Sequence, residues 1–371
     1  MEFVATCLFG LEALLGEEID SLGLKRTTTI DGRVSFAGDI ADIPRANIRL
    51  RFAERVYIKL ADFKCESFAE LFDGTAAAPW EEWIGKDSAF PVTGHAIKSK
   101  LFSVPDCQKI IKKAIAKRLG EKYGVSWLAE SGGTYPVEFF IFKDTAALMI
   151  DTSGVALHKR GYRPKSNAAP LRETLAAALA KLSRPRENVL FWDPFCGSGT
   201  IAIEVAMIMK NIAPGINRKF ISEDFPRIDK KLWDAARDEA RSLEIKETAF
   251  EAYASDIDPA CVEIARENVA RAGVDDCVRV FERDALKIET EGRRGTIVCN
   301  PPYGERLGDL KEAEELYRKM GAHFRGLDAW QIYILTSHED FGRLYGARAD
   351  KVRRLYNGMI PCYFYQYFKR K

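Results

Sequence analysis

From about residue 166 to residue 336, short apolar runs rich in β-branched and aromatic residues alternate with segments whose apolar residues recur at helical spacing. That alternation constrains the fold more than any other feature. Consecutive strands separated by helices need crossover connections, and these build an open, mostly parallel sheet covered by helices. The spacing predicts a helix over 169–182, a strand over 189–193, a helix over 199–210, and a proline-containing insertion with a helix over 229–242. A strand at 250–255, a helix at 259–271, strands at 277–281 and 295–299, a helix at 311–325 and a strand at 330–336 follow. The end breaks the rhythm: KVRRLY and MIPCYFYQYF flank Asn357-Gly358. This is a two-residue turn signal and predicts an antiparallel hairpin on the sheet edge.

The first 160 residues follow another pattern. Residues 3–6 read as a strand, and Leu11, Leu14, Leu15, Ile19 and Leu22 fall on one helix face closed by Gly23. TTTI and RVSF flank Asp31-Gly32, a hairpin signal. Next come a strand at 55–63, an irregular loop with Pro79 and two tryptophans, a strand near 89–98, a helix at 104–119, and paired strands at 136–142 and 145–151. Hairpins with segregated helices indicate an α+β arrangement. The domains expected are therefore 1–54, 55–160 and 161–371.

A chain of 371 residues is long for a single core. Its 47% apolar and 30% charged residues fit an ordinary globular protein, with no apolar run long enough to span a bilayer. The N-terminus has acids within its apolar pattern and no basic leader, which predicts a cytoplasmic protein. Eight scattered cysteines without a CxxC pair, and only four histidines, predict neither a zinc site nor a disulfide framework. No metal and no obligate protein partner are expected.

The chemistry-bearing residues gather at predicted strand ends. FWDPFCGSGT (191–200) is a glycine-rich turn between a strand and a helix, where backbone can approach a ligand closely. It lacks the Gly-Lys-Ser/Thr of a phosphate-gripping loop and the third glycine of the dinucleotide fingerprint. Asp193 at its strand end suits a cationic amino group instead. Asp256 ends the next strand, where an acid can accept both hydroxyls of a ribose, with Asp258 as the alternative. Asp284 follows the third strand and can take an adenine amino group. Any one of these acids is equally well a helix N-cap; three at successive strand ends are not explained that way. Beyond the strand at 295–299, Asn300-Pro301-Pro302-Tyr303 halts both helix and ladder pairing.

These stretches resemble class I S-adenosylmethionine-dependent methyltransferases that act on exocyclic or amide nitrogen. The resemblance implies a Rossmann-like domain with an antiparallel terminal hairpin, S-adenosyl-L-methionine as cofactor, and cofactor contacts at Asp193, Phe195, Gly197, Gly199, Asp256, Ile257, Asp284 and Ala285. It also implies a catalytic tip at Asn300, Pro301, Pro302 and Tyr303. The chemistry fits. A nucleobase amine is a poor nucleophile because its lone pair is delocalised. The Asn300 side-chain oxygen and the Pro301 carbonyl can accept its two N–H bonds and favour a pyramidal nitrogen. Tyr303 can stack on an extruded base. A carbon-5 pyrimidine enzyme would need a thiolate; Cys299 and Cys362 both lie in apolar strand runs and read as core residues.

Between Lys98 and Arg118 there are seven basic residues and one acid, Asp106. Lys109, Lys112, Lys113 and Lys117 share a helix face, and Lys98 and Lys100 precede it. Alone, such a face is a solvated surface. Ahead of a nitrogen methyltransferase it reads as an RNA clamp for phosphate and shape. The arrangement resembles a ferredoxin-like domain plus a THUMP domain, as in THUMP-containing RNA guanine-N2 methyltransferases. HKRGYRPKSNAAPLRETLAAAL (158–179), NIAPGINRKFISEDF (211–225) and NPPYGERLG (300–308) extend that resemblance over essentially the whole chain. It implies N2-methylation of guanosine in structured RNA, ribosomal or transfer. Adenine-N6 methylation, glutamine-amide methylation and a non-catalytic RNA-binding or ribosome-assembly role are the alternatives.

Overall fold

The computed structural model describes residues 1–164, 171–304 and 309–368. Strand β1 (Glu2–Thr6) leads to helix α1 (Glu12–Ser21), the hairpin of β2 (Lys25–Ile30) and β3 (Arg33–Ala37), helix α2 (Asp42–Arg49) and strand β4 (Arg55–Lys64). Helix α3 (Phe68–Ala77), strand β5 (Val92–Ile97), helix α4 (Val104–Tyr123) and the hairpin of β6 (Val137–Phe142) and β7 (Thr145–Asp151) follow. These seven strands form one sheet in the order β2-β3-β1-β4-β7-β6-β5. Only β5 and β6 pair in parallel. The sheet runs without interruption across the boundary expected at residue 54, because β1 pairs with β4 from Glu2↔Lys59 to Thr6↔Arg55.

Two N-terminal helices are additional to the sequence reading, α2 and α3. The stretch read as an irregular loop contains α3, whose Gly74 lowers its intrinsic helix propensity. A capping box compensates: Ser67 Oγ accepts from the Glu70 N–H at 3.3 Å, and a Glu70 carboxylate oxygen accepts from the Ser67 N–H at 3.1 Å. The Ser67-x-x-Glu70 pattern was legible in the sequence.

The second half contains α5 (Glu173–Leu182), β8 (Leu190–Asp193), α6 (Thr200–Met209), α7 (Lys230–Ser242), β9 (Ala252–Asp256), α8 (Pro259–Ala272), β10 (Val278–Glu282) and β11 (Gly295–Cys299). Then come α9 (Asp309–Phe324), β12 (Trp330–Thr336), the short α10 (Phe341–Tyr345), β13 (Lys351–Asn357) and β14 (Ile360–Tyr367). The sheet order is β10-β9-β8-β11-β12-β14-β13. Its first five strands are parallel, and β14 and β13 are antiparallel, as the Asn357-Gly358 turn predicts. Every residue of β8 and β11 is buried, which explains why they are apolar except at Asp193 and Thr296. Trp192, Ile297, Tyr317, Phe324 and Trp330 anchor the core on one sheet face.

Packing divides the chain into two compact units: Met1–Thr6, Gly16–Leu157 and Lys219–Asp238 form one, and Cys7–Leu15, His158–Arg218 and Glu239–Lys371 form the other. Most of the insertion after α6 therefore belongs to the first unit. There Phe225 stacks on Tyr135 with ring centroids 4.2 Å apart. Ser222 Oγ donates to the Thr152 carbonyl at 2.6 Å, and Arg227 pairs with Glu82 at 3.0 Å.

In the second unit, α9 and α10 meet at a point with no spare room. A Cβ on Gly321 would lie 1.9 Å from the Tyr345 carbonyl oxygen, and backbone cannot yield as a side chain can. Gly321→Ala should cost at least the ~1–3 kcal/mol typical of overpacking, seen as a lower unfolding temperature in calorimetry. An unchanged transition would mean that this contact relaxes freely.

Candidate active site

In the second sheet the chain steps outward from β8 to β9 and β10, then returns to place β11 on the other side of β8. Such a reversal opens a crevice beyond the strand ends. Asp193 closes β8, Asp256 closes β9, Asn300 follows β11, and Asp284 lies two residues beyond β10. A cavity of about 680 Å³ occupies this crevice, within the ~300–1,000 Å³ usual for small-ligand sites. Of the twelve residues expected for cofactor and catalysis, eleven line it: Asp193, Phe195, Gly197, Asp256, Ile257, Asp284, Ala285, Asn300, Pro301, Pro302 and Tyr303. Gly199 is not in its wall. It caps the N-terminus of α6 at φ 79°, and a Cβ there would press on Ala265 Cβ at 3.2 Å. Its role in the structure is the turn itself.

The three acids sit in different environments. Asp193 is buried, and desolvation raises its carboxyl well above the ordinary range, with neighbouring Asp256 adding to the effect. One of its oxygens accepts from the Phe195 N–H at 3.2 Å. Asp256 is half-buried and accepts backbone N–H groups from Gly197 at 2.9 Å and Asp258 at 3.1 Å. It thereby ties the glycine turn to the end of the second strand. Asp258, the alternative, is the N-cap of α8, accepting from the Ala260 N–H at 2.9 Å, and does not line the cavity. Asp284 also caps a short turn, accepting from the Leu286 N–H at 2.9 Å while lining the cavity. Beside Asp256, Ile257 is 68% exposed and offers an apolar platform to a flat ring.

At the tip, the Tyr303 hydroxyl donates to the Asn300 side-chain oxygen. An amide oxygen has two lone pairs, so this bond fixes the amide and leaves one acceptor position open. Tyr303 was expected only as a stacking surface. Behind the tip stands a residue the sequence did not single out: the Tyr317 hydroxyl donates to the Pro302 carbonyl at 2.7 Å and lies 3.2 Å from Thr336 Oγ1. Burial pushes the Tyr317 phenol up to about 12, so it stays a donor. Helical spacing marks Tyr317 only as core, which hides its polar end. Residues 305–308 of the extended tip, and 165–170 of the junction segment, lie outside the described residues.

The junction segment carries a buried ionic network that composition did not reveal. The Tyr162 hydroxyl donates to Glu204 at 2.9 Å, and Arg160 lies 3.5 Å from the same carboxylate. Arg163 pairs with Glu173 at 2.9 Å and donates to Thr200 Oγ1 at 2.8 Å. Thr200 lies 3.0 Å from Ser198 Oγ, and both residues line the cavity. Cys299 and Cys362 are fully buried, and desolvation drives the Cys299 thiol well upward. A thiolate nucleophile at either place has no route to a substrate. Among the described residues no cluster of His, Cys, Asp and Glu is suited to a metal, and no helix is long and apolar enough to cross a membrane.

In the other unit, the lysines expected to meet RNA are mostly engaged. Lys112 pairs with Glu130 at 2.6 Å, donates to the Phe90 carbonyl and lies over the Phe90 ring. It is a structural clamp more than a free cation. Lys100 pairs with Glu66, Lys109 with Asp106 at 3.6 Å and Lys117 with Glu121 at 3.8 Å. Lys98 and Lys113 join no ion pair among the described residues.

A crevice lined by no lysine among the described residues, with a buried acid at its first strand and an amide-bearing proline tip at its fourth, has the polar groups for a sulfonium amino acid joined to a nucleoside. The left-handed turn at Gly197 and Gly199 lets the backbone approach such a ligand without side-chain obstruction. Fold and site together define a class I S-adenosylmethionine-dependent methyltransferase. The chain belongs to the RMKL-like methyltransferase family, whose methyltransferase domain matches residues 160–366. An RlmL ferredoxin-like domain matches 2–57 and a THUMP domain matches 65–151. It is 45% identical to the Bacillus subtilis (strain 168) protein named "Putative RNA methyltransferase YpsC", over 99% of this chain and 96% of that one. It is 34% identical to the Psychromonas ingrahamii ribosomal RNA large subunit methyltransferase K/L, over 96% of this chain but only 49% of that protein. The chain thus spans about half the length of the K/L relative. Two solved structures superpose over all of it: a Listeria monocytogenes protein described as a "predicted N6-adenine-specific DNA methylase" (44% identity, 96% of that chain, TM-score 0.94), and SMU.472, described as "a putative methyltransferase complexed with SAH" (40%, 98%, TM-score 0.93).

Arg163→Ala strands the buried Glu173 carboxylate, a loss of about 3–5 kcal/mol for a broken buried pair. Burial already raises the Glu173 carboxyl, with Arg163 opposing the rise, so the variant raises it further. A carboxyl raised on folding favours the folded state below its unfolded value and loses that contribution as pH rises through the folded one. The unfolding temperature of the variant should therefore fall short of wild type by more at pH 8 than at pH 5. An equal deficit at both would remove Glu173 from the account.

Proposed function

We propose that the chain transfers the S-adenosylmethionine methyl group to the exocyclic N2 of guanosine in structured RNA, with large-subunit ribosomal RNA favoured over transfer RNA. The observation that carries this reading is the Tyr303–Asn300 hydrogen bond at the cavity. It presets an amide oxygen to accept one amine N–H, while the adjoining Pro301 carbonyl is available for the other. The names of the ribosomal K/L relative and of YpsC support RNA as the substrate class, as does the matched THUMP domain.

The bound cofactor supplies an electrophilic methyl group on a sulfonium. The chain does the rest by positioning. Asp193 holds the amino-acid ammonium, Asp256 the ribose hydroxyls and Asp284 the adenine amine, while Phe195, Ile257 and Ala285 form apolar walls. Asn300 and Pro301 hold the target nitrogen and draw its lone pair out of conjugation, an interaction strongest as the nitrogen becomes tetrahedral. Pro302, tethered by Tyr317, keeps the loop from yielding. The methylated nitrogen then loses a proton to solvent without a dedicated base.

Adenine N6 remains the second reading, since its amine has the same geometry and one solved relative is described as an adenine-specific DNA methylase. RNA from cells lacking the gene, fractionated by size and incubated with protein and cofactor, should yield N2-methylguanosine on digestion and mass spectrometry. N6-methyladenosine, or methylated DNA with unmodified RNA, would overturn the substrate assignment.

The ammonium role of Asp193 has a pH signature. Its carboxyl is raised by burial, so in the ligand-free protein it keeps its proton well above the usual carboxylate range. Pairing with a cation requires the ionised form. Cofactor binding should therefore release a proton and weaken as pH falls through the raised value. Calorimetry in two buffers of different ionisation heat should give different apparent enthalpies for wild type and equal ones for Asp193→Asn. Equal heats for wild type would remove the pairing.

A further inference from the structure

The outer strand β13 presents an unusual surface. Lys351, Arg353 and Arg354 are exposed, and among the described residues none of them joins an ion pair. Helix cations elsewhere in the same unit do have acidic partners, such as Arg318 with Glu314 at 3.2 Å and Arg271 with Glu267 at 3.2 Å. Arg354 reaches over the Tyr356 ring at 5.3 Å, and Phe9 meets the same ring edge-on at 5.7 Å while remaining 46% exposed. The turn carrying Phe9 is seated under β13, where a Cβ on Gly10 would lie 3.0 Å from the Arg354 carbonyl oxygen. One residue beyond Tyr356, Asn357 lines the cofactor and catalytic cavity. At the hairpin tip Met359 is 87% exposed.

We propose that this hairpin face docks the single-stranded RNA flanking the target nucleotide, with Arg353 and Arg354 on its phosphates and Phe9 and Tyr356 against a neighbouring base. The proposal rests on the RNA-substrate reading above. Three observations point to this occupant. A base extruded to reach Asn300 leaves its two neighbours at the cavity rim, and Asn357 makes β13 part of that rim. Unpaired guanidinium groups complement a phosphate backbone, and rings beside them complement unstacked bases of any sequence. Charge on an edge strand also discourages strand-to-strand association. A guard of that kind has no use for exposed Phe9 and Met359 beside it, since they weaken it.

The test uses the full chain with the double substitution R353E/R354E, the milder R353Q/R354Q, and F9A. Binding of a short labelled single-stranded RNA is measured against salt concentration, together with methyl transfer to RNA from cells lacking the gene. The charge-reversed protein should bind RNA at least about tenfold more weakly, and the slope of log affinity against log salt should drop by about 1.4, from two lost contacts at about 0.7 each. KM for RNA should rise while cofactor affinity and kcat at saturating RNA stay near wild type. The glutamine pair should lose less affinity than the glutamate pair, and F9A should raise KM without changing the salt slope. Wild-type affinity and slope in the charge-reversed protein would overturn the proposal while leaving RNA methylation standing. A wild-type protein that neither binds nor methylates RNA would overturn both.

Discussion

The site depends on a constraint of the parallel ladder: β8, β9, β10 and β11 must all end at the same side of the sheet. Register sets the depth of each end. Asp256 is level with Glu282, and Asp193 with Ala254, so the acids of the first two strands lie at neighbouring heights. The Gly197 N–H to Asp256 hydrogen bond of 2.9 Å then couples the glycine turn to the second strand end. Shifting one strand by a residue would turn its acid to the other face and empty the cavity of it. Four residues far apart in sequence become one site because hydrogen-bond spacing leaves them no other place.

Support for this edge comes from charges that are themselves buried. Arg160, Glu173 and Glu204 are almost inaccessible and the Arg163 side chain is only 9% exposed, an arrangement that is costly unless each group is paired. A purely apolar cluster of equal volume could stabilise the fold as well. It could not direct a guanidinium at the Thr200 hydroxyl at 2.8 Å, behind the glycine turn. The same logic recurs at the proline tip, where Tyr317 spends its hydroxyl on a loop carbonyl that would otherwise be held only by proline stiffness. In both places a buried polar group converts packing into orientation, which a methyl-transfer site needs to within a few tenths of an ångström.

The first unit carries the helix on which the sequence places an RNA contact. Its basic helix looks in sequence like a row of free lysines, yet Lys112 is bound to Glu130 and Phe90, and Lys100, Lys109 and Lys117 have acidic partners. Asp106 and Glu121 sit on the helix itself, three and four residues from their lysines, but the other two acids lie beyond the reach of a helical-face argument: Glu130 is eighteen residues from Lys112, and Glu66 thirty-four from Lys100. A local charge count therefore overstates how much positive field that face presents. Cations on β13 escape this neutralisation, although KVRR attracted notice only as half of a hairpin.

The sequence by itself determined the architecture of the second half, its terminal hairpin and the residues that converge on the cavity. Each of these rests on a local rule: strand and helix periods differ, Asn-Gly turns tightly, and prolines stop a ladder. It also carried the Ser67-x-x-Glu70 pattern of the capping box that starts α3, in a stretch read as an irregular loop. Tertiary structure alone decided the strand order, which places Asp193 beside Asn300, and the regrouping of residues 219–238 with the first unit. Only in three dimensions does Tyr303 prove to hold Asn300, does Asp258 resolve into a helix cap, and do Arg163 and Glu173 become a buried pair. The physical reason is common to all of them. Periodicity and turn chemistry act between residues a few positions apart, whereas hydrogen-bond partners, burial and desolvation depend on which distant segments the folded chain brings into contact.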